Sequence, residues 1–256
     1  MANNVIDSHK FFLTPAGASL KRNGELNSNL EFNIPSLYQS SGNVLYSTIR
    51  CVHAEIPYSF YIVNEYNNLL SLSTGNIYIP FGNYNANSFM KYLAGVLPIG
   101  MSLGFNTTNG KYLLLYNQPF SINANSTCST LMGFAKGKEY NSAENKIEMP
   151  YLANLSGTKN IYVKIPNLIL DNYNSATKDR ATLLNIPINV SPFGIIMYEN
   201  SSGISNIIKS IQIPDTLYLQ LSDDDNNLID FNNTEFSITI QIDFYLTVYK
   251  NNNQAY

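Results

Sequence analysis

Hydrophobic and polar residues alternate over several stretches of this 256-residue chain, a pattern typical of β-strands that bury one face. The alternation is most regular in residues 236–249 (FSITIQIDFYLTVY), which give the strongest strand signal in the sequence. The pair Ile-Pro recurs beside such runs, and because proline lacks the N–H that a central strand donates, each pair indicates a strand end, edge or bulge. We expect further strands at residues 29–34, 46–55, 76–79, 160–165, 183–189, 194–198, 207–213 and 216–221.

A different pattern occupies residues 82–135. Apolar residues recur at helical spacing over residues 87–97, with Asn87 or Ser88 as the cap. The Asn-Gly pair between MSLGFN and KYLLLYN predicts a tight hairpin, and STCSTLMGF predicts a short helical turn capped by Ser126. We therefore expect one all-β domain over residues 1–256, with a small α+β insertion (helix, hairpin, helix) at about 82–135 and short flexible termini.

Few residues of the chain are charged. Charged side chains make up 13% of the sequence, about half of the usual share. Low charge and 19 tyrosines suit a surface that neighbouring subunits cover, although a coding bias toward asparagine would have the same effect. The net charge is −3 without a basic cluster, so we expect no direct binding of nucleic acid.

Membrane and secretion signals are also missing from the sequence pattern. No apolar run approaches the ~18 residues of a membrane span, and the N-terminal residues lack the charged and apolar regions of a secretory signal. The two cysteines, Cys51 and Cys128, are too few for a disulfide framework and too far apart for a Cys-x-x-Cys motif. We expect two buried free thiols.

His53 and Glu55 combine the residue types of a general base. In an extended strand Cys51, His53 and Glu55 point to one face, and the alternate residues point to the other. No motif supplies a matching nucleophile, and His9, the other histidine, falls in a predicted tail. The pair is therefore expected to lie on the polar outer face of a strand.

Two loops resemble ligand-binding motifs in part. Asp223, Asp225 and Asn227 match the opening of a calcium loop, but Leu228 replaces its glycine and Thr234 its bidentate glutamate. We expect a hairpin loop between two strands there; whether Asp223 and Asn226 hold a cation is left open. Residues 104–112 (GFNTTNGKY) miss the spacing of a phosphate loop.

No set of residues in the sequence forms a recognisable catalytic motif. Glu139, Glu144 and Glu148 fall in one predicted loop with nothing to complement them, so an enzyme such as a β-sandwich hydrolase is the weaker hypothesis. Sequons arise readily in so asparagine-rich a chain, and they occur at Asn106, Asn125, Asn154, Asn189, Asn200 and Asn232. We therefore assign no catalytic, cofactor-binding or metal-binding residue.

Three motifs in a fixed order carry a resemblance to a known family. They are IPYSFY at residues 56–61, IPFGNY at residues 79–84, and LSDDDNNLIDF at residues 221–231. In this order they resemble the jelly-roll minor capsid, or penton, proteins of virophages and polinton-like DNA viruses. The corner at residues 56–60 is expected to end a strand at Pro57 and to pack its aromatic residues against the sandwich.

The resemblance implies a single jelly-roll β-sandwich with an insertion. It also implies a structural protein without enzymatic activity or cofactor, five copies of which close an icosahedral vertex beside the major capsid protein. Such a protein is made in the host cytoplasm and resides in the virion. The alternative is a viral spike or fibre head that recognises a receptor or glycan, since jelly rolls serve both roles.

Overall fold

The computed structural model describes residues 5–22, 26–35, 44–175, 178–210 and 213–246. The predicted flexible ends lie outside these residues. In chain order the elements are β1 (Val5–Leu13), β2 (Leu20–Lys21), β3 (Asn29–Asn33), β4 (Val44–Pro57), β5 (Leu69–Leu72), β6 (Gly75–Tyr78), α1 (Ala86–Val96), β7 (Ser102–Asn106), β8 (Lys111–Leu115), β9 (Ser121–Ile122), α2 (Ser129–Met132), β10 (Tyr140–Asn141), β11 (Lys146–Glu148), β12 (Asn160–Lys164), β13 (Thr182–Pro187), β14 (Ile195–Glu199), β15 (Asn206–Ile208), β16 (Thr216–Ser222) and β17 (Ser237–Leu246).

The chain divides into two compact units. The first comprises Met1–Phe60 and Thr158–Tyr256, and the second, Tyr61–Gly157, is inserted between β4 and β12. The range predicted for the insertion, about 82–135, lies inside the second unit and leaves out β5, β6, β10 and β11. No helix among the described residues is long and apolar enough to cross a membrane.

The first unit is a sandwich of two antiparallel sheets. Sheet 1 has the order β1-β17-β4-β14, with β15 also paired to β4, and sheet 2 has the order β13-β12-β16-β3-β2. Leaving aside the short β2 and β15, the chain changes sheet at every connection except that between β12 and β13. If the eight remaining strands of the sandwich are numbered 1 to 8 along the chain, sheet 1 has the order 1-8-3-6 and sheet 2 has the order 2-7-4-5. This is jelly-roll topology, as predicted.

Apolar side chains from the inner faces of both sheets form one core. Sheet 1 contributes Ile49 and Ile240, and sheet 2 contributes Leu219 and Val163, all of them fully buried. The alternation predicted for β17 is retained, since Ile238, Ile240 and Ile242 face this core. Burial of these side chains is the main stabilising term for the sandwich.

A β-bulge in β4 corrects the predicted faces of that strand. Cys51 pairs with Ile240 while His53 pairs with the adjacent Thr239, so Val52 is an extra residue in the ladder. Cys51 is consequently buried in the core, whereas His53 and Glu55 lie on the outer face. The prediction that these three side chains share a face was wrong, because strict alternation holds only within a regular strand.

The second unit has its own core and two small sheets. Their strand orders are β10-β9-β5-β6 and β11-β8-β7, and α1 contributes Phe89 and Leu93 to the core. Asn85 caps α1 in a capping box with Ser88, so the cap lies two residues before Asn87 and three before Ser88, the two caps predicted from sequence. Ser126 does not cap α2; its hydroxyl instead bonds to the backbone of Ser71.

The predicted strands are present, except that of the run at 207–213 only Ile207 and Ile208 are in a strand, β15, among the described residues; the prediction of a tail at His9 was wrong. Residues 5–13 form β1 and pair with β17, so His9 lies in a strand and not in a tail. The polar run Asp-Ser-His-Lys at the start of β1 lacks the apolar alternation by which the other strands were recognised. Each proline of the Ile-Pro pairs lies at a strand end or within two residues of one, as expected.

Candidate assembly surface

The outer face of sheet 1 presents regular rows of side chains from β1, β17, β4 and β14. Strand pairing places Phe12, Thr239, His53 and Glu199 side by side across the sheet. The neighbouring rows hold Lys10 beside Gln241 and Arg50, and Ser8 beside Asp243 and Thr48. The face is therefore polar along its middle.

Asp243 is the centre of this polar region and is only 4% exposed. One of its carboxylate oxygens accepts hydrogen bonds from Ser8 Oγ at 2.6 Å and from Gln241 Nε2 at 2.7 Å. Arg50 NH2 lies 3.9 Å from the other oxygen. These charge-assisted bonds fix β1 against β17 and satisfy a carboxylate that is buried on the outer side of the sheet.

The two edges of sheet 1 carry different exposed groups. Among the described residues β1 pairs only with β17, and β14 pairs only with β4, so each has an unpaired side. Phe12 on β1 is 76% exposed, and Met197 on β14 is 64% exposed. Lys10 is exposed beside Phe12, whereas Glu55 and Glu199 flank Met197. One edge is thus apolar and basic, and the other is apolar and acidic.

The turn before β14 extends the acidic edge with a strained aromatic residue. Phe193 has a φ of 71°, which a bulky residue rarely adopts, and its side chain is largely in solvent. Its N–H donates to the Tyr58 carbonyl at 2.9 Å, which fixes the turn to the end of β4. The turn thus holds an exposed aromatic ring in a fixed position beside β14.

His53 and Glu55 form an exposed pair on this face, as predicted. His53 Nε2 lies 3.2 Å from Glu55 Oε1, and both side chains are well exposed to solvent. The nearest thiol along the strand, Cys51, points to the other side, and burial raises its pKa to about 12. A protonated thiol in the core cannot act as a nucleophile for this pair.

In the loop after β16, the carboxylate of Asp223 accepts hydrogen bonds from backbone N–H groups of the same loop. Asp223 accepts hydrogen bonds from the N–H groups of Asp225 and Asn227 at 2.9 and 2.8 Å, and burial raises its pKa. The predicted hairpin was wrong: β16 belongs to sheet 2 and β17 to sheet 1, so the segment crosses between sheets. Within the described ranges no three His, Cys, Asp or Glu side chains are grouped as metal ligands would be.

The positively charged group that contacts this loop is the ammonium group of Lys164. Lys164 Nζ donates to Asn226 Oδ1 at 2.6 Å and to Asp179 Oδ2 at 2.8 Å. The sequence reading missed this contact. The signal was present in NIYVKI, where a lysine occupies an otherwise apolar strand end.

The remaining sequence candidates are dispersed. Residues 104–112 belong to the β7–β8 hairpin, and Tyr112 is fully buried. Glu139 precedes β10, Glu144 has a left-handed turn conformation, and Glu148 ends β11. Cys128 is fully buried, and desolvation raises its pKa. The sequon asparagines lie in loops or at the end of a strand.

Comparison with known proteins gives structural likeness only. No protein-family model and no curated protein matches the sequence. The chain is similar to the mavirus penton protein, with 11% identity, a TM-score of 0.47, and coverage of 93% of this chain and 100% of that one. It is also similar to a chain of the Sputnik virophage, with 10% identity, a TM-score of 0.45, and coverage of 93% and 98%.

Proposed function

We propose that this protein is a structural capsid protein of the penton type, five copies of which associate around a five-fold vertex. The jelly-roll topology and the penton-like motifs at residues 56–61, 79–84 and 221–231 support the class. The observation that supports ring formation is the difference between the two edges of sheet 1, and the number five follows from the penton class. A closed ring requires a heterologous contact, in which two different surfaces of identical subunits meet.

In such a ring the β1 edge of each copy faces the β14 edge of the next. Phe12 then contacts the apolar group formed by Phe193, Ile195 and Met197, and Lys10 approaches Glu199. Apolar contacts of this kind supply affinity, and opposite charges around them set the register. The same edges meeting in an isologous pair would bring like charges together, which disfavours a two-fold dimer.

The role has three further parts. The protein resides in the virion after synthesis in the host cytoplasm, and its partner at the vertex is the major capsid protein. Neither a catalytic residue nor a cofactor is assigned. The low overall charge, 13% of residues, supports lateral packing of the remaining surface against such a partner.

The test is the oligomeric state of the purified protein. Native mass spectrometry and negative-stain electron microscopy should give pentamers and five-fold rings. Met197→Glu should weaken association at least about tenfold, the effect of losing roughly 1.4 kcal/mol at one contact. Ile99→Glu, at a fully exposed position of the second unit, is the matched control for an added charge and should leave the rings unchanged.

Two results would count against the proposal. A monomer at high concentration that also fails to enter particles with the major capsid protein would remove the vertex role. Glycan binding by a protein that does not self-associate would instead favour the spike or fibre-head alternative.

A further inference from the structure

Lys164 is a buried lysine whose ammonium group contacts both a side-chain amide and a carboxylate. Its side chain is 6% exposed. Its ammonium group lies 2.8 Å from Asp179 Oδ2 and 2.6 Å from Asn226 Oδ1. Three separate segments meet here: the end of β12, the β12–β13 connection and the β16–β17 connection.

All three groups are held in place by other contacts. The ladder between β12 and β13 shifts register at Lys164, which sets the direction of its side chain. The second oxygen of Asp179 accepts from the Ala181 N–H at 3.1 Å and from Thr182 Oγ1 at 3.2 Å. Asn226 has a φ of 66°, a left-handed conformation that asparagine tolerates better than most residues. The lysine, the acid and the amide are therefore fixed relative to one another.

We propose that Lys164 and Asn226 become joined by an intramolecular isopeptide bond, with Asp179 transferring the protons. A lysine amine is a competent nucleophile once it is deprotonated in a site with little water. The amide oxygen of Asn226 is already in hydrogen-bond contact with the amine, which holds the carbonyl carbon next to the nucleophile. Attack then requires a rotation of the amide that turns its face to the amine. Asp179 is within proton-transfer distance of the same amine.

The reaction balances without an outside reagent. Asp179 takes a proton from the Lys164 ammonium, and the free amine attacks Cγ of Asn226 to form a tetrahedral intermediate. The Asn226 nitrogen takes the proton held by Asp179 and leaves as ammonia while the carbonyl re-forms. The Lys164 nitrogen then gives up its second proton, by way of the Asp179 carboxylate, to that ammonia, which leaves a secondary amide and an ammonium ion. Taken together, one ammonium group and one primary amide give one secondary amide and one ammonium ion, and no electrons are transferred to or from an oxidant.

The bond would connect positions that are 62 residues apart in the sequence. It would tie the central part of sheet 2 to the segment that leads into β17, the second strand of sheet 1. A covalent bond at this place closes a long loop in the unfolded chain, which is where such a link has its greatest effect.

Mass spectrometry of the intact, denatured protein tests the proposal. After the folded protein has been incubated near neutral pH, its mass should be lower than the sequence mass by one ammonia molecule. A tryptic digest should then contain one branched peptide that includes both Lys164 and Asn226, with no cleavage after Lys164. An unchanged mass in folded protein after prolonged incubation overturns the proposal.

Two variants separate this bond from other losses of ammonia. A cyclic imide at Asn109 and Gly110 would also release ammonia, but that loss would persist in Lys164→Arg, which keeps the charge and removes the nucleophile. A mass deficit that is as large in Lys164→Arg as in the parent therefore overturns the assignment. Asp179→Asn should fold, as judged by circular dichroism, yet retain its full mass; a deficit in this variant would overturn the role of Asp179.

Discussion

Phe60 and Phe231 meet edge to face, with ring centroids 5.9 Å apart and an interplanar angle of 85°. Phe60 belongs to the corner after β4, and Phe231 lies between β16 and β17. Ser59 Oγ adds a hydrogen bond of 2.8 Å to the Phe231 carbonyl. Two of the sequence motifs that resemble penton proteins are thus in direct contact, and together they close one end of the sandwich core.

This contact predicts a large loss of stability when either ring is removed. Phe231 is fully buried, and Phe231→Ala should lower the free energy of unfolding by about 3–5 kcal/mol because it leaves a cavity. Phe60→Ala should fall in the same range. Urea denaturation followed by circular dichroism measures both. His53→Ala, on the outer face, is the control and should stay within about 0.5 kcal/mol of the parent.

Replacing glycine by alanine should change stability in opposite directions at two positions of the second unit. Gly133 has a φ of 85°, and a Cβ there would lie 2.3 Å from the Tyr151 carbonyl oxygen. Gly133→Ala should therefore cost more than about 2 kcal/mol. Gly95 lies on the exposed side of α1 with nothing within 4 Å of its added Cβ, so Gly95→Ala should stabilise by about 0.5–1 kcal/mol. Thermal melts of the two variants that shift in the same direction would contradict this.

The buried thiol of Cys51 predicts a loss of stability at alkaline pH. Desolvation raises its pKa from 9.0 to about 12, so the unfolded chain releases this proton at a lower pH than the folded chain. The stabilising contribution is complete below pH 9 and falls by up to about 1.4 kcal/mol per pH unit between the two pKa values. Urea midpoints near pH 8 and 10.5 should differ less in Cys51→Ala than in the parent. Equal differences would show that Cys51 does not titrate as described.

Exchanging the charges of Lys10 and Glu199, at the two edges of sheet 1, should restore the association that a single charge reversal weakens. Lys10→Glu should weaken pentamer formation several-fold, since it places a negative charge opposite Glu199 in the proposed ring. The double variant Lys10→Glu with Glu199→Lys should recover most of the association. Both effects should shrink at high salt, because exposed charges are screened. Analytical ultracentrifugation over a salt series measures this, and a double variant no better than the single one would exclude this pairing.

Much of the sandwich could be predicted because its strands are half-buried. Period-two alternation identified β17 almost completely, although residues 247–249 of the predicted run lie outside the described chain. The Ile-Pro pairs located strand ends for a simple physical reason, the missing N–H of proline. The corner at residues 56–60 packed as expected, with Tyr58 and Phe60 both buried.

The structural features that the sequence did not predict depend on pairing with residues that are distant in the chain. β1 is held by pairing with β17, and the hydroxyl of its Ser8 bonds to Gln241 and Asp243. The bulge at Val52 and the crossing of residues 223–236 between sheets are also set by tertiary pairing. Local alternation and turn composition contain no information about which sheet a strand joins.

The place of β17 in the sequence has a consequence for synthesis. It follows every other strand of the sandwich, yet it lies between β1 and β4 and pairs Ser8 with Asp243, 235 positions away. Sheet 1 is therefore complete only after β17 has been synthesised, whereas the inserted unit is continuous in sequence and can fold earlier. A chain that ends before β17 leaves β1 without its described partner strand, while β14 can still pair with β4. In the proposed ring such a chain would offer the edge with Met197 but not the edge with Phe12, so the topology would exclude it from closing the ring.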